Sequence, residues 1–178
     1  VIELRGASVY HVKGRSGRFS SGTKKFRGCE LALSELNFSV KRGELVYLNG
    51  KVGSGKSTLL KTLYGENELA GGEGYVACYD LRKLRRKDIP MLRRRLGIVF
   101  QDYQLLTDRN VFNNLHYVMR ATGWKNEVGI RRRIEEVLLL VGLDNKEYKM
   151  PFELSGGEQQ RLAISRALLD HPEVILAH

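Results

Sequence analysis

The hydrophobic positions of this chain change period several times, and each change marks an element. Val1–Val9 predicts a first strand. Residues 1–50 and 72–80 together read as short strands of an antiparallel β region. Lys13–Lys25 interrupts that region; it is rich in Gly, Ser, Lys and Arg and predicts an inserted loop. Glu44–Leu48 is a short apolar run of strand type, and Ser57–Tyr64 spaces its leucines as a helix does. Asn110–Thr122 and Glu127–Val141 carry amphipathic helical patterns, the second closed by Gly142. Trp124 and Leu138–Leu140 are expected in the core of that helical lobe. A last helix is predicted over Glu158–Leu169. This order of elements predicts an α/β fold with a parallel core sheet.

Between the strand-type run and the first helix stands Gly50-Lys51-Val52-Gly53-Ser54-Gly55-Lys56-Ser57, followed by Thr58. This is a phosphate-binding loop of the form G-x-x-x-x-G-K-[ST]. Its glycines let the backbone curl so that N–H groups point inward at phosphate oxygens. The positive end of the helix dipole adds to the same site. Lys56 is placed to reach the β- and γ-phosphates of ATP, and the Ser57 hydroxyl to ligate Mg²⁺. A glycine-rich turn joining strand to helix is the plainer reading, but the flanking elements stand in the order the motif requires.

A second motif, Leu154-Ser155-Gly156-Gly157-Glu158-Gln159-Gln160, opens the last helix. Locally it is a capping box, with Ser155 at the N-cap and Glu158 at N3. Capping does not call for two glycines, each costing about 1 kcal/mol inside a helix. Bare backbone at a helix start suits the close approach of a phosphate. The pairing of this motif with the phosphate loop resembles the ATP-binding cassette (ABC) ATPases, whose signature sequence it matches. The resemblance implies a head-to-tail homodimer that sandwiches two ATP molecules. Ser155, Gly156, Gly157, Glu158 and Gln159 of one copy would then face the γ-phosphate held by the other.

Further positions match that family in order. Leu96-Gly97-Ile98-Val99-Phe100-Gln101-Asp102 is similar to the strand and Q-loop of ABC ATPases, which places Gln101 near Mg²⁺ and the attacking water. The adenine-stacking aromatic has two candidates. Tyr10 follows the first strand, while Phe26 lies nearer the usual spacing before the phosphate loop. The stretches Asp88–Val111, Asn113-Asn114-Leu115 and Pro151–Arg166 resemble the FtsE family of cell-division ATP-binding proteins more than lipoprotein-release or macrolide-export ATPases. That resemblance implies a peripheral protein at the cytoplasmic face of the membrane, with an FtsX-type integral membrane partner. In ABC systems such a partner docks by the Q-loop, here around Gln101–Leu106 and Asn110–Thr122, with Tyr103, Leu105 and Leu106 as apolar contacts.

Val174-Ile175-Leu176-Ala177 looks like the Walker B strand, after which the family carries an aspartate and a catalytic glutamate. His178 stands there instead, and Val1 replaces an initiator methionine, so the expectation is a fragment of a longer protein, incomplete at its C-terminus. As written it holds no general base, so the ATPase reading applies to the intact protein. A genuine His178 would instead make a non-hydrolysing ATP-binding regulator. The expected organisation is one ABC domain over 1–178, with a helical lobe at about 103–160 and the basic loop insertion at about 13–25.

Composition adjusts this picture in two places. Net charge is +10 at neutral pH, concentrated in Arg82–Arg95, Arg131–Arg133 and Lys13–Lys25. Such patches suit a solvated face, an anionic membrane surface, or nucleic acid. They lack interleaved aromatics and a nucleic-acid fold motif, which disfavours a soluble nucleic-acid- or ribosome-associated ABC protein. The apolar runs fall short of the roughly 20 residues that a membrane span needs. Cys29 and Cys78 have no metal-ligand spacing and read as reduced thiols.

Overall fold

The structure is a computed structural model that describes residues 1–12 and 29–178. The basic insertion and Phe26 lie outside the described residues. The chain divides into two compact units, Val1–Arg93 and Arg94–His178.

The first unit is built on a four-stranded antiparallel sheet. Its strands are β1 (Ile2–Val12), β2 (Cys29–Val40), β3 (Leu69–Val76) and β4 (Tyr79–Asp80), in the order β2-β1-β3-β4. Ile2 and Leu4 point into the core, and a one-residue register shift between Leu4 and Ala7 then hands the inward positions to Ala7 and Val9. An irregularity of this kind keeps one face apolar where strict alternation would have turned Gly6 and Ser8 inward. The bulge is pinned by the Gly6 amide, which donates to Asn37 Oδ1 at 2.7 Å. Helix α1 (Lys56–Leu63) packs on β1 through Leu59, Leu60 and Leu63. A short helix α2 (Ile89–Arg94) follows, burying Leu92.

The strand-type run Glu44–Leu48 does not join this sheet. Its residues lie outside any assigned strand, with Leu45 and Tyr47 almost fully exposed. A strand is completed by its ladder partner, and an apolar run supplies only half of that requirement.

The second unit combines the parallel pair β5 (Leu96–Val99) and β6 (Val174–Ala177) with three helices. α3 (Val111–Ala121), α4 (Glu127–Leu140) and α5 (Gly156–Leu168) agree with the sequence patterns to within two residues. Asn110 caps α3 and Asn126 caps α4, their side chains accepting from first-turn amides. Val111, Leu115, Met119, Ile130, Ile134, Leu138 and Leu162 interlock as one fully buried cluster. Trp124 packs against it, and its indole N–H donates to Asp170 at 2.8 Å. α5 also lies on β5, close enough that a Cβ at Gly97 would stand 2.6 Å from the Ala167 carbonyl. No helix among the described residues is long and apolar enough to cross a membrane.

Candidate functional site

The phosphate loop Gly50–Ser57 is exposed from Gly50 to Gly53 and leads directly into α1. Gly53 and Gly55 take left-handed backbone, with φ of 81° and 87°. Gly55 is the N-cap of α1, with no side-chain cap and no acidic residue in the first turn. The first amides of a helix lack intrahelical acceptors, so this end presents donors and positive potential to an anion. The loop closes on itself tightly: a Cβ at Gly50 would sit 2.6 Å from Ser54 Oγ.

Lys56 arches over that loop. Its ammonium donates to the Gly50 carbonyl at 2.6 Å, the Lys51 carbonyl at 2.9 Å and Ser54 Oγ at 3.4 Å. The three donors of the ammonium are thereby held on the loop itself, and phosphate oxygens would replace these partners. Ser57 is exposed on the first turn of α1, whereas the Thr58 side chain is buried beneath it. Tyr10 lies half-buried on β1, paired in register with Leu31.

Gln101 stands exposed on the turn that follows β5. Among the described residues no group of three or more His, Cys, Asp or Glu could hold a metal ion. The Ser57 hydroxyl is a hard neutral oxygen, of the kind that completes the shell of a magnesium ion held mainly by phosphates, and the Gln101 amide, in the other unit, carries an oxygen of the same chemical type. The residues present fit that group.

The signature helix begins as a complete capping box. The Glu158 amide donates to Ser155 Oγ at 3.4 Å, and the Ser155 amide and hydroxyl donate to Glu158 Oε2 at 2.8 and 2.9 Å. The Lys146 ammonium pairs with the other carboxylate oxygen of Glu158. That contact, with the two bonds from Ser155, holds the carboxyl at about 2, well below its ordinary 4.5. Gln159 turns inward and donates to the Pro151 and Leu154 carbonyls at 3.0 and 3.2 Å. Both side chains thus brace the loop that leads into α5. Ser155, Gly156 and Gly157 remain exposed and form the face that a ligand can reach.

Two supporting residues escaped the sequence reading. Lys146 lies in a polar turn with nothing in its neighbourhood to mark it. Arg166, on the far end of α5, donates to the carbonyls of Tyr103 and Gln104 in the Q-loop. The fully buried Asn114 closes that loop: its Oδ1 accepts from the Leu106 amide at 2.8 Å and its Nδ2 donates to the Leu106 carbonyl at 2.9 Å. Leu105 packs partly buried against the helical core.

The family model for ABC transporters matches residues 33–177. The chain belongs to the ABC transporter family. Within that family, this cassette is 46% identical to the cell division ATP-binding protein FtsE of Streptococcus pneumoniae, over 86% of the chain and 66% of that relative. It is 39% identical to FtsE of Escherichia coli, over 90% of the chain and 72% of that relative. The chain thus spans about two thirds of the length of these curated relatives. Among solved structures it resembles a dimeric ATP-binding cassette in a post-hydrolysis state with ADP and inorganic phosphate. That match has TM-score 0.80 and 28% identity, covering 99% of this chain and 73% of that one. The dimeric structure of a bacterial ABC transporter cassette matches at the same TM-score with 29% identity, covering the same shares. The cassette is FtsE-like, and its fold is the α/β fold with parallel and antiparallel sheets that its sequence predicts.

Proposed function

We propose that this chain is the ATP-binding part of an FtsE-like ATPase that acts as a head-to-tail dimer. The observation that carries this reading is the uncapped N-terminus of α1, with Lys56 arched across its loop, in one chain with a glycine-opened signature helix. In this reading Lys56 and the amides of Gly53–Thr58 bind the β- and γ-phosphates. Tyr10 stacks on adenine, as an aromatic face can do with any base. Ser155, Gly156 and Gly157 close on the γ-phosphate bound by the other copy. Ser57 and Gln101 would hold magnesium, which supplies neutralisation of charge on the β- and γ-phosphates. Gln101 also orients the attacking water.

The finer assignment is a peripheral subunit at the cytoplasmic face of the membrane, coupled to an FtsX-type integral membrane protein in cell division. It rests on the likeness to FtsE and on the exposed Q-loop. Part of the positive charge is already engaged: Arg85 with Asp88, Arg131 with Glu135, and Arg133 with Glu136 and the Leu168 and Leu169 carbonyls. That pairing favours a solvated face over a nucleic-acid surface. Calorimetry with ATP and the complete protein tests the site: Lys56→Ala should weaken binding at least about tenfold, because charge-assisted bonds contribute roughly 1.5–3 kcal/mol. Wild-type affinity in that variant would remove Lys56 from the role. For the partner, Tyr103→Ala should reduce co-purification with an FtsX-type protein while ATP binding persists; full co-purification would move the docking groove elsewhere.

A further inference from the structure

We propose that Arg166 is a positioning residue for the Q-loop: its guanidinium fork fixes the backbone of Tyr103 and Gln104, and thereby the direction in which Gln101 is presented. Arg166 donates from Nη1 to the Gln104 carbonyl at 2.6 Å and from Nη2 to the Tyr103 carbonyl at 2.8 Å. Those two residues have φ of 55° and 46°, two successive non-glycine residues in the left-handed region. That conformation is sterically unfavourable for side chains with a Cβ and persists only where the surroundings over-determine it. Here the surroundings are identifiable. The Tyr103 amide donates to the Phe100 carbonyl at 3.0 Å and the Gln104 amide to the Asp102 carbonyl at 2.6 Å, so the turn winds tightly around Gln101 and Asp102. Asn114 anchors the far end at Leu106, and the β5–β6 ladder anchors the near end at Val99. Arg166 supplies the remaining restraint, in the middle.

Its position in the chain adds consequence. Arg166 lies on α5, the helix whose first residues are the signature glycines. One rigid rod therefore carries the γ-phosphate-facing end at Ser155–Gly157 and the clamp on the Q-loop. Burial lowers the Arg166 pKa, the nearby Asp102 charge opposes that, and a guanidinium stays protonated at neutral pH in either case. Two parallel N–H groups on a planar fork match two adjacent carbonyls, a geometry that a single ammonium does not reproduce. The proposal rests on the functional reading above, in which Gln101 serves ATP turnover.

The test uses the complete protein with Arg166→Met, Arg166→Lys, Gln101→Ala and the double variant Arg166→Met/Gln104→Gly. Steady-state ATP hydrolysis is read beside hydrogen exchange at the Tyr103 and Gln104 amides. Both Arg166 variants should keep the KM for ATP and lose kcat on the order of 10- to 100-fold, the scale of a misplaced group in an active site. Exchange at both amides should quicken. Glycine at 104 accepts the left-handed turn without help, so it should recover part of the lost turnover. Arg166→Lys carries the test if Arg166→Met does not fold. Wild-type turnover or wild-type exchange in a folded Arg166 variant overturns the proposal, as does a double variant no more active than Arg166→Met. If Gln101→Ala leaves turnover unchanged, the functional reading of the Q-loop fails, and the exchange data alone decide whether Arg166 holds the turn.

Discussion

Helix α1 starts at a left-handed glycine with no side-chain cap, whereas α5 starts at a serine locked into a reciprocal box with Glu158. Both are glycine-opened helix ends that the ABC resemblance aims at phosphate. At α1 the protein leaves its first-turn amides for a ligand and holds only Lys56 in readiness. At α5 one first-turn amide, that of Glu158, is met internally by Ser155 Oγ, and the Glu158 carboxylate is in turn held by Ser155 and Lys146. The Ser155 hydroxyl donates its proton to Glu158, so it must rotate away before it can donate to a phosphate oxygen. At the first end the helix amides carry no side-chain cap and Lys56 exchanges loop carbonyls for phosphate, while at the second the Ser155 hydroxyl exchanges a carboxylate. Such a division suits a dimer in which nucleotide first occupies the loop and then recruits the signature.

The comparison can be broken at several levels. Leu115 sits at the centre of the lobe core that supports α5, fully buried. Leu115→Ala should cost about 2–5 kcal/mol of the stability of that unit, read by denaturant titration. A loss under 1 kcal/mol would mean that α5 is not supported by this core. Lys56→Ala comes next, with its at least about tenfold loss of ATP affinity and no comparable change in folding. A folding defect as large as the binding defect would recast Lys56 as a structural cation of the loop. Ser155→Ala removes a cap and should cost about 1 kcal/mol of stability. Equal stability would show that the box at α5 contributes nothing.

The smallest effect is a pH dependence. The Glu158 carboxyl is depressed to about 2 from an ordinary 4.5. A group with a depressed folded value contributes stability that is present above the unfolded value and lost as pH falls through the folded one. Stability of the lobe should therefore decline between about pH 4.5 and pH 2, and Glu158→Gln should flatten that part of the profile. An identical decline in the variant would assign the acid sensitivity to other carboxylates.

Legibility in the sequence followed the range of the interactions. Both helix starts could be read from the chain, because a capping box and a phosphate loop are built from residues a few positions apart. α3 and α4 were equally plain, their apolar faces being local, although their asparagine caps were not read. The strand-type run Glu44–Leu48 showed only its side-chain pattern, and pairing depends on a partner that pattern does not name. Arg166 and Lys146 were hidden for the same reason: their partners lie 62 and 12 residues away. Glu158 and Gln159 match a ligand motif in the sequence, while in the fold their side chains bond the Ser155, Pro151 and Leu154 groups beside them.

In the proposed dimer the bare loop of one copy and the capped signature of another form a single ATP site. Complementation measures this directly. Complete protein carrying Lys56→Ala is mixed with complete protein carrying Gly157→Asp, and ATP hydrolysis is followed across mixing ratios. In a head-to-tail dimer the mixed pair has one site with both lesions and one site with neither. Each variant alone should be inactive, and the mixture should recover activity that peaks near equal proportions. A mixture as inactive as its components would contradict the account.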